Sequence, residues 1–453
     1  RRNEQKDAFT TFLKLTHTLS ATTFYELGIT RSKTEFDSAL FDDPFDARYQ
    51  DNTYIDFTDG INTSNFRVGG TDNGRFSRST ETYLVKWDLT SQFSKRNMVK
   101  AGIEFRKHDL NFLDEFTAVF PVGDELVQAQ VNNGEYNRKP TEASAYIQDK
   151  IEFEGLIVNI GLRWDYFNSD GPVLLDETDP NIVFEERRQD LEQNQIFKDS
   201  NAKSQISPRL GVSFPISEGG VVHFSYGWFF QIPNFNLLYQ NPYFRLGTSG
   251  SGLIGLIGNA NLRPQKTING EIGLKQSLSN STGVEITAFF RDINDLAGTA
   301  TDPILIAGTS ARYGKFVNSD FGFVRGIILR FDQRIASDFS VNLDYTFQVA
   351  KGNASDPAAV FNAAQAKQER EQQIVPLDWD QTHTANISMT YSNQEQNWGF
   401  GIISSFGSGL PFTPSQTTQQ TGVILPTTIQ LNSQPKPTTW DVDLTVYKGF
   451  RMG

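Results

Sequence analysis

Asn259-Ala-Asn-Leu-Arg-Pro264-Gln-Lys-Thr-Ile-Asn-Gly-Glu271-Ile-Gly-Leu-Lys-Gln-Ser-Leu-Ser279-Asn-Ser-Thr-Gly-Val-Glu-Ile-Thr-Ala-Phe-Phe-Arg-Asp-Ile-Asn-Asp-Leu296 is the stretch that decides the fold. Past Pro264 the side chains alternate. Ile268, Gly270, Ile272 and Leu274 take one face, and Thr267, Asn269, Glu271 and Lys275 the other. After a polar break at Ser279–Thr282, Val284, Ile286, Ala288 and Phe290 again oppose Glu285, Thr287 and Arg291. A period of two is the signature of extended chain, so the spacing predicts a β-hairpin with one greasy and one wet surface. Each strand is about ten residues long, roughly what a tilted strand needs to cross a bilayer.

Working outward, the same unit recurs, and about fifteen strands are predicted. The pairs are 8–18 with 21–32, 80–93 with 98–110, 141–153 with 156–168, 204–216 with 221–232, the opening hairpin, 315–335 with 339–350, and 380–392 with 397–406. A last strand at 438–450 has no mate. Short turns such as Glu154-Gly155 and Ser217–Gly220 alternate with long connections such as 33–79, 170–203 and 351–379. Outer-membrane barrels keep short periplasmic turns and long extracellular loops, whereas soluble sandwiches mix their connection lengths. The fold class expected is therefore all-β, a transmembrane antiparallel β-barrel occupying residues 1–453. Trp87, Trp164, Trp228, Trp379, Trp398 and Trp440 fall mostly near strand ends, as an interfacial belt requires. Asp149 breaks the pattern, sharing a face with Ile147, Ile151 and Phe153, and a bulge there would remove it.

Composition agrees with this class. Hydrophobic residues make up 38% of the chain, and its mean hydropathy is -0.41. A barrel shows this profile because only alternate residues face lipid. No apolar run approaches the roughly 18 residues that mark a membrane helix. Aromatics at 13%, with 37 Phe against 3 Met, favour strands. There is no cysteine, which excludes disulfides and thiolate chemistry. The net charge of -12 argues against a nucleic-acid partner.

Three runs carry a family resemblance. Asn259-Ala-Asn-Leu-Arg-Pro264 with Glu271-Ile-Gly273 resembles the N-P-x-L-x-P-E…E-x-G motif in the barrels of TonB-dependent outer-membrane receptors, with Ala260 in place of Pro and Gln265 in place of Glu. Ser207-Pro-Arg-Leu-Gly211 followed by Tyr226-Gly-Trp-Phe-Phe-Gln231-Ile-Pro233 is the second run, and Val375-Pro-Leu-Asp-Trp-Asp-Gln-Thr-His383 the third. The resemblance implies 22 strands, of which about 15 are expected here, and a plug domain filling the lumen. The plug and the closing C-terminal strands are expected to lie outside this sequence. It also implies import of a scarce nutrient (siderophore, cobalamin, oligosaccharide or peptide), driven by the TonB energy-transducing complex acting through the plug. The motif residues Asn259, Leu262, Pro264, Glu271 and Gly273 are read as structural. Outer-membrane lipid, TonB and a small nutrient are the partners implied, in the outer membrane of a Gram-negative bacterium.

Catalysis has no support in the residues. His17, His108, His223 and His383 lie on separate strands without HxxH or HExxH spacing, and no nucleophile elbow or phosphate loop occurs. Neither an enzyme nor a resident metal site is expected. Asp42, Asp43 and Asp46, in an acidic and aromatic loop, are candidate Ca²⁺ ligands, but the EF-hand spacing is absent and a solvated loop is the favoured reading. Substrate binding is assigned to Trp228, Phe230, Gln231, Asn234, Tyr239 and Tyr243, aromatics beside amides where a strand leaves the membrane. The competing reading of these residues is an aromatic belt plus loop packing. Residues 247–258, rich in glycine, are expected to be a mobile loop tip. The alternatives to an energised receptor are a passive porin-type channel and a soluble or surface all-β glycan-binding protein.

Overall fold

Strands dominate because the alternating pattern leaves each one face to bury and one to wet, and pairing satisfies their backbones. A computed structural model describes residues 2–50, 71–122, 125–179, 197–241, 251–335, 338–365, 373–393, 395–414 and 431–450. Fifteen of the long strands pair side by side as the wall of one sheet. They are β1 (Asn3–Ser20), β2 (Thr23–Ala39), β3 (Gly74–Gln92), β4 (Asn97–Val122), β5 (Thr141–Phe153), β6 (Leu156–Asn168), β7 (Lys203–Ser217) and β8 (Gly220–Gln231). Then come β9 (Gln265–Ser279), β10 (Thr282–Thr299), β11 (Ser310–Ile335), β12 (Phe339–Gly352), β13 (His383–Asn393), β14 (Trp398–Gly407) and β15 (Thr439–Lys448). Every neighbouring pair is antiparallel and follows chain order. The predicted pairs all form, and most strands run a few residues further than predicted.

Register assigns the two faces. In β5 to β9, Ile147 opposes Leu162, Ile160 opposes Leu210, Phe224 opposes Ile272, and Ile272 opposes Ala288 of β10. Ile160 is 53% exposed, Leu162 53% and Ile272 55%, so among the described residues nothing covers them. An uncovered apolar band of this extent is what a bilayer covers. The other face carries Lys86, Lys100, Arg163, Arg209, Glu271 and Arg330, a polar wall facing the lumen. Among the described residues no helix is long and apolar enough to cross a membrane, and the crossings are made by strands.

Four expectations need correction. The connection from 111 to 140 is not a loop: β4 runs on to Val122 and turns back through a further strand, Glu125–Arg138, that pairs with it. Strand β11 starts at Ser310, five residues before the predicted start. In the expected mobile tip, residues 247–250 lie outside the described residues, but Ser251–Ile257 forms a strand lying parallel to β11 from Ser310 to Lys315. Glycine content suggested mobility, whereas the interleaved Ile254, Leu256 and Ile257 bring an apolar edge that packs. Asp149 stays on the bilayer-facing side with no bulge in β5. It lies near the periplasmic turns, where Asn97 Nδ2 donates to its Oδ2 at 2.7 Å, so a polar partner takes the place of the expected bulge.

Above the bilayer the connections pack together. Leu174, Ile257, Ile306, Ala311 and Tyr313 form one buried cluster, joined by Phe197, Ile254 and Ile304. A second cluster holds Leu110, Phe167, Leu238, Tyr239, Leu262 and Phe316. It joins β4 to the distant β11 through the β8–β9 connection, so that connection folds over the lumenal side of the outward rim.

Candidate functional site

The β8–β9 connection builds the mouth. Strand β8 pairs with β7 only as far as Gly227, while it stays paired with β9 to Gln231. Beyond Gly227 its end separates from β7, and the chain then makes a short helix, α1 (Phe235–Tyr239). Asn234 caps it with its carbonyl, which accepts from Leu237 N at 3.0 Å. The Asn234 side chain is exposed and makes no capping hydrogen bond, so its amide is available at the rim.

The sequence-assigned binding residues separate into two groups. Gln231, exposed, accepts from Gln265 Nε2 at 3.4 Å and with Asn234 offers polar groups to the mouth. Phe230 packs against the second buried cluster. Tyr239 is only 1% exposed, its hydroxyl donates to the Ser169 carbonyl, and burial pushes the phenol pKa above its ordinary value. As it stands it is a packing residue. Trp228 donates from Nε1 to the Tyr226 hydroxyl at 3.0 Å and carries the Lys266 ammonium 3.5 Å above its ring. By register it shares the bilayer-facing side with Ile268. An aromatic ring with a snorkelling lysine at a strand end is the interfacial-belt arrangement. Tyr243 lies outside the described residues.

The run from Asn259 to Pro264 is the anchor of the mouth. Asn259 Nδ2 donates to the Phe316 carbonyl at 2.8 Å, while its Oδ1 accepts from Asn261 N at 2.9 Å. The Ala260 carbonyl accepts from Ser169 Oγ at 2.7 Å, and Asn261 Oδ1 accepts from Asn201 N at 2.8 Å. Leu262 is 1% exposed inside the second cluster. Arg263 N donates to Asn318 Oδ1 at 2.8 Å, and Asn318 Nδ2 donates to the Asp295 carbonyl at 2.7 Å. Five consecutive residues, Asn259 to Arg263, thus tie the β6–β7 connection, the outer end of β10 and the outer part of β11 to the β8–β9 connection. Further down β9, Glu271 accepts from Ser225 Oγ at 2.8 Å. Gly273 leaves space for His223, whose Cε1 would stand 2.3 Å from any Cβ there. These side chains support the packing of the wall.

Elsewhere the candidate residues are engaged structurally. Asp43 Oδ1 accepts from Phe45 N at 2.9 Å. The Arg48 guanidinium beside Asp46 holds its carboxyl well down, at about 2. Among the described residues no three His, Cys, Asp or Glu side chains converge to hold a metal ion. The histidines stay apart: His108 meets Glu142 at 2.8 Å and Thr82 at 2.9 Å, and His383 meets the Tyr345 hydroxyl at 2.8 Å.

A family model described as TonB dependent receptor-like, beta-barrel matches residues 2–452. No curated protein sequence matches the chain. Among solved structures, the outer membrane transporter YddB from Escherichia coli superposes with a TM-score of 0.65 at 12% identity, over 98% of this chain and 56% of that one. The FrpB iron transporter from Neisseria meningitidis, in its apoprotein form, gives 0.60 at 14% identity, over 98% and 57%. The siderophore receptor PiuA from Acinetobacter baumannii gives 0.57 at 13% identity, over 100% and 59%. At these identities the likeness shows the fold. The chain spans a little over half the length of each.

Proposed function

As the chain belongs to the TonB-dependent receptor-like β-barrel family, we propose that it is the membrane-spanning wall of an importer that takes a scarce nutrient across the outer membrane. The observation that carries this reading is the two-faced sheet, greasy outside and polar inside, whose outward rim is tied into one mouth by Asn259 to Pro264. Cargo enters past Gln231 and Asn234, and the energy comes from the TonB complex acting through a plug. The solved relatives named for iron or a siderophore favour a metal chelate as cargo, ahead of cobalamin, oligosaccharide or peptide. No catalytic role falls to any residue.

Uptake separates the energised receptor from a passive channel. Iron-starved cells whose ferric-chelate uptake depends on the complete receptor are expected to lose that uptake when TonB is deleted. Uptake that persists without TonB would make the porin reading correct.

Topology is checked separately. Asp176, exposed in the β6–β7 connection, accepts from Thr178 N at 2.8 Å, and Gly155 sits in the β5–β6 turn with open space where a Cβ would point. Asp176→Cys is expected to label with an impermeant thiol reagent on intact cells, and Gly155→Cys only after the outer membrane is opened. The reverse pattern would invert the barrel.

A further inference from the structure

On the bilayer-facing side of β9 to β12, register sorts charge by height. From the periplasmic turns upward, these faces carry no Asp, Glu, Lys or Arg until the outward ends, where Lys266, Asp292, Arg325 and Lys351 stand. Each lies roughly ten to thirteen residues above its turn, or roughly 25–33 Å at about 3.3 Å per residue and a tilt of about 40°. The apolar band of such a wall is about 25 Å tall, so the four sit at outward headgroup level. The Trp228 ring beneath Lys266 marks the same level.

Asp292, Phe323 and Lys351 fall in one register row, and Arg325 lies one step lower on β11, opposite Phe290 and Val349. Arg325 and Lys351 are therefore diagonal neighbours, about 7–8 Å apart. Lys266 lies one step above the row on β9, three strands from Lys351 and roughly 14 Å across at about 4.8 Å per strand. Of the three cations, only Arg325 is ion-paired among the described residues, with Asp292 at 3.1 Å. Lys266 rests 3.5 Å from the Trp228 ring centroid, a contact that spends none of its N–H donors on an oxygen. Lys351 has Asp380 within electrostatic reach, but that side chain is buried and its Oδ1 accepts from Ala350 N at 2.9 Å. In a chain of net charge -12, three cations thus meet the headgroup layer beside one exposed carboxylate. Lysine and arginine at a bilayer surface attract anionic headgroups, and their bonds to phosphate oxygens are charge-assisted. Directly below, Ile272, Ile286, Ile327 and Leu329 are exposed, an apolar column for acyl chains.

We propose that the outward ends of β9 to β12 hold a lipid headgroup bearing two phosphates, one seated between Arg325 and Lys351 and the other at Lys266. Two stations this far apart ask for two phosphates, because one phosphate does not span them. Asp292 holds Arg325 against the wall, and the acyl chains run down the apolar column. The seat faces lipid, so its occupancy is independent of what fills the lumen and of the cargo. The cations at the same height on β2 differ: Arg31 is spent on Glu81 at 2.6 Å and Lys33 on Glu35 at 2.5 Å.

The test is native mass spectrometry of the complete receptor in neutral maltoside micelles, titrated with lipid A, a glycolipid with two phosphates on one disaccharide. The Lys266→Gln/Lys351→Gln double variant is expected to bind it roughly tenfold more weakly or worse, through the loss of charge-assisted bonds. Monophosphoryl lipid A is expected to bind the unaltered protein several-fold more weakly, and the fully dephosphorylated form more weakly still. Lys33→Gln, at the same height but ion-paired, is expected to bind lipid A as the unaltered protein does. Gel mobility with and without heating confirms that each variant is folded. Equal binding of the dephosphorylated form would reduce the contact to acyl chains and overturn the proposal. An equal loss in Lys33→Gln would overturn it too, by making the attraction a property of the whole rim. Displacement of lipid A by an equimolar amount of inorganic pyrophosphate would make the seat one for soluble phosphate and overturn the lipid assignment.

Discussion

Leu262→Ala is expected to cost the outward rim roughly 2–5 kcal/mol, the range for emptying a fully buried leucine site. Leu262 is 1% exposed and packs among Leu110, Phe167, Leu238, Tyr239 and Phe316, residues brought from β4, β6, α1 and β11. Such a site collapses poorly, because its walls belong to strands held apart by their own ladders. The readout is the temperature at which the folded band converts to the unfolded one on gels, compared with Leu175→Ala. Leu175 is 55% exposed in the β6–β7 connection and is expected to change little. Protease cleavage in the outward connections is expected to rise in step. Equal midpoints for the two variants would refute the role of Asn259 to Pro264 as the anchor of the mouth.

The second large effect is a contrast between neighbours on β12. Leu343→Arg puts a charge on the bilayer face, opposite Ile387 of β13, and is expected to destabilise the barrel by roughly 2–4 kcal/mol if the site is near the midplane. Asn342→Arg, one residue earlier, turns the same side chain into the lumen beside Asp332 of β11. There water and a carboxylate receive it, and little change is expected. Folding yield into lipid vesicles at graded urea measures both. If Asn342→Arg were the damaging one, the two faces would be exchanged and the inside of the wall would be its outside.

Much of this was readable before any coordinates. The alternation in 265–279 and 282–299 specifies which residues pair and which face they take, because a one-residue slip would send Ile272 into the lumen and Glu271 into lipid. Short turns enforce neighbours, so strand order followed. Pairings between residues distant in sequence were not readable. Ser251–Ile257 lies parallel to β11, about sixty residues on, and nothing local in Ser-Gly-Leu-Ile-Gly-Leu-Ile announces that partner. Strand Glu125–Arg138 escaped because its Asn132-Asn-Gly-Glu135 stretch dilutes the period, and its pairing with β4 shifts register there.

The candidate site was legible in part. A run of aromatics and amides marked the mouth correctly as a place, yet composition cannot separate Tyr239, buried with its hydroxyl spent on Ser169, from Asn234, whose amide stays open. Burial is decided by which connections meet above the rim, a property of the assembled lobe. The make-up of the lumenal wall was invisible for a related reason. Gly161 lies far from Gly211 and Gly227 along the chain, and the three come onto one patch of wall only when β6, β7 and β8 are laid side by side.

The anchoring of the mouth by Asn259 to Pro264 separates what must be kept from what is free to vary. Of its hydrogen-bond partners, Ser169 and Asn201 lie beside strand ends, and Asp295, Phe316 and Asn318 lie inside the outer parts of β10 and β11, so all sit at or below the roots of the connections. Lengthening or replacing a connection beyond its root leaves every one of those bonds in place. Outward loops can therefore be exchanged on a constant footing, and a graft of foreign outward loops onto this wall should be cut at those roots.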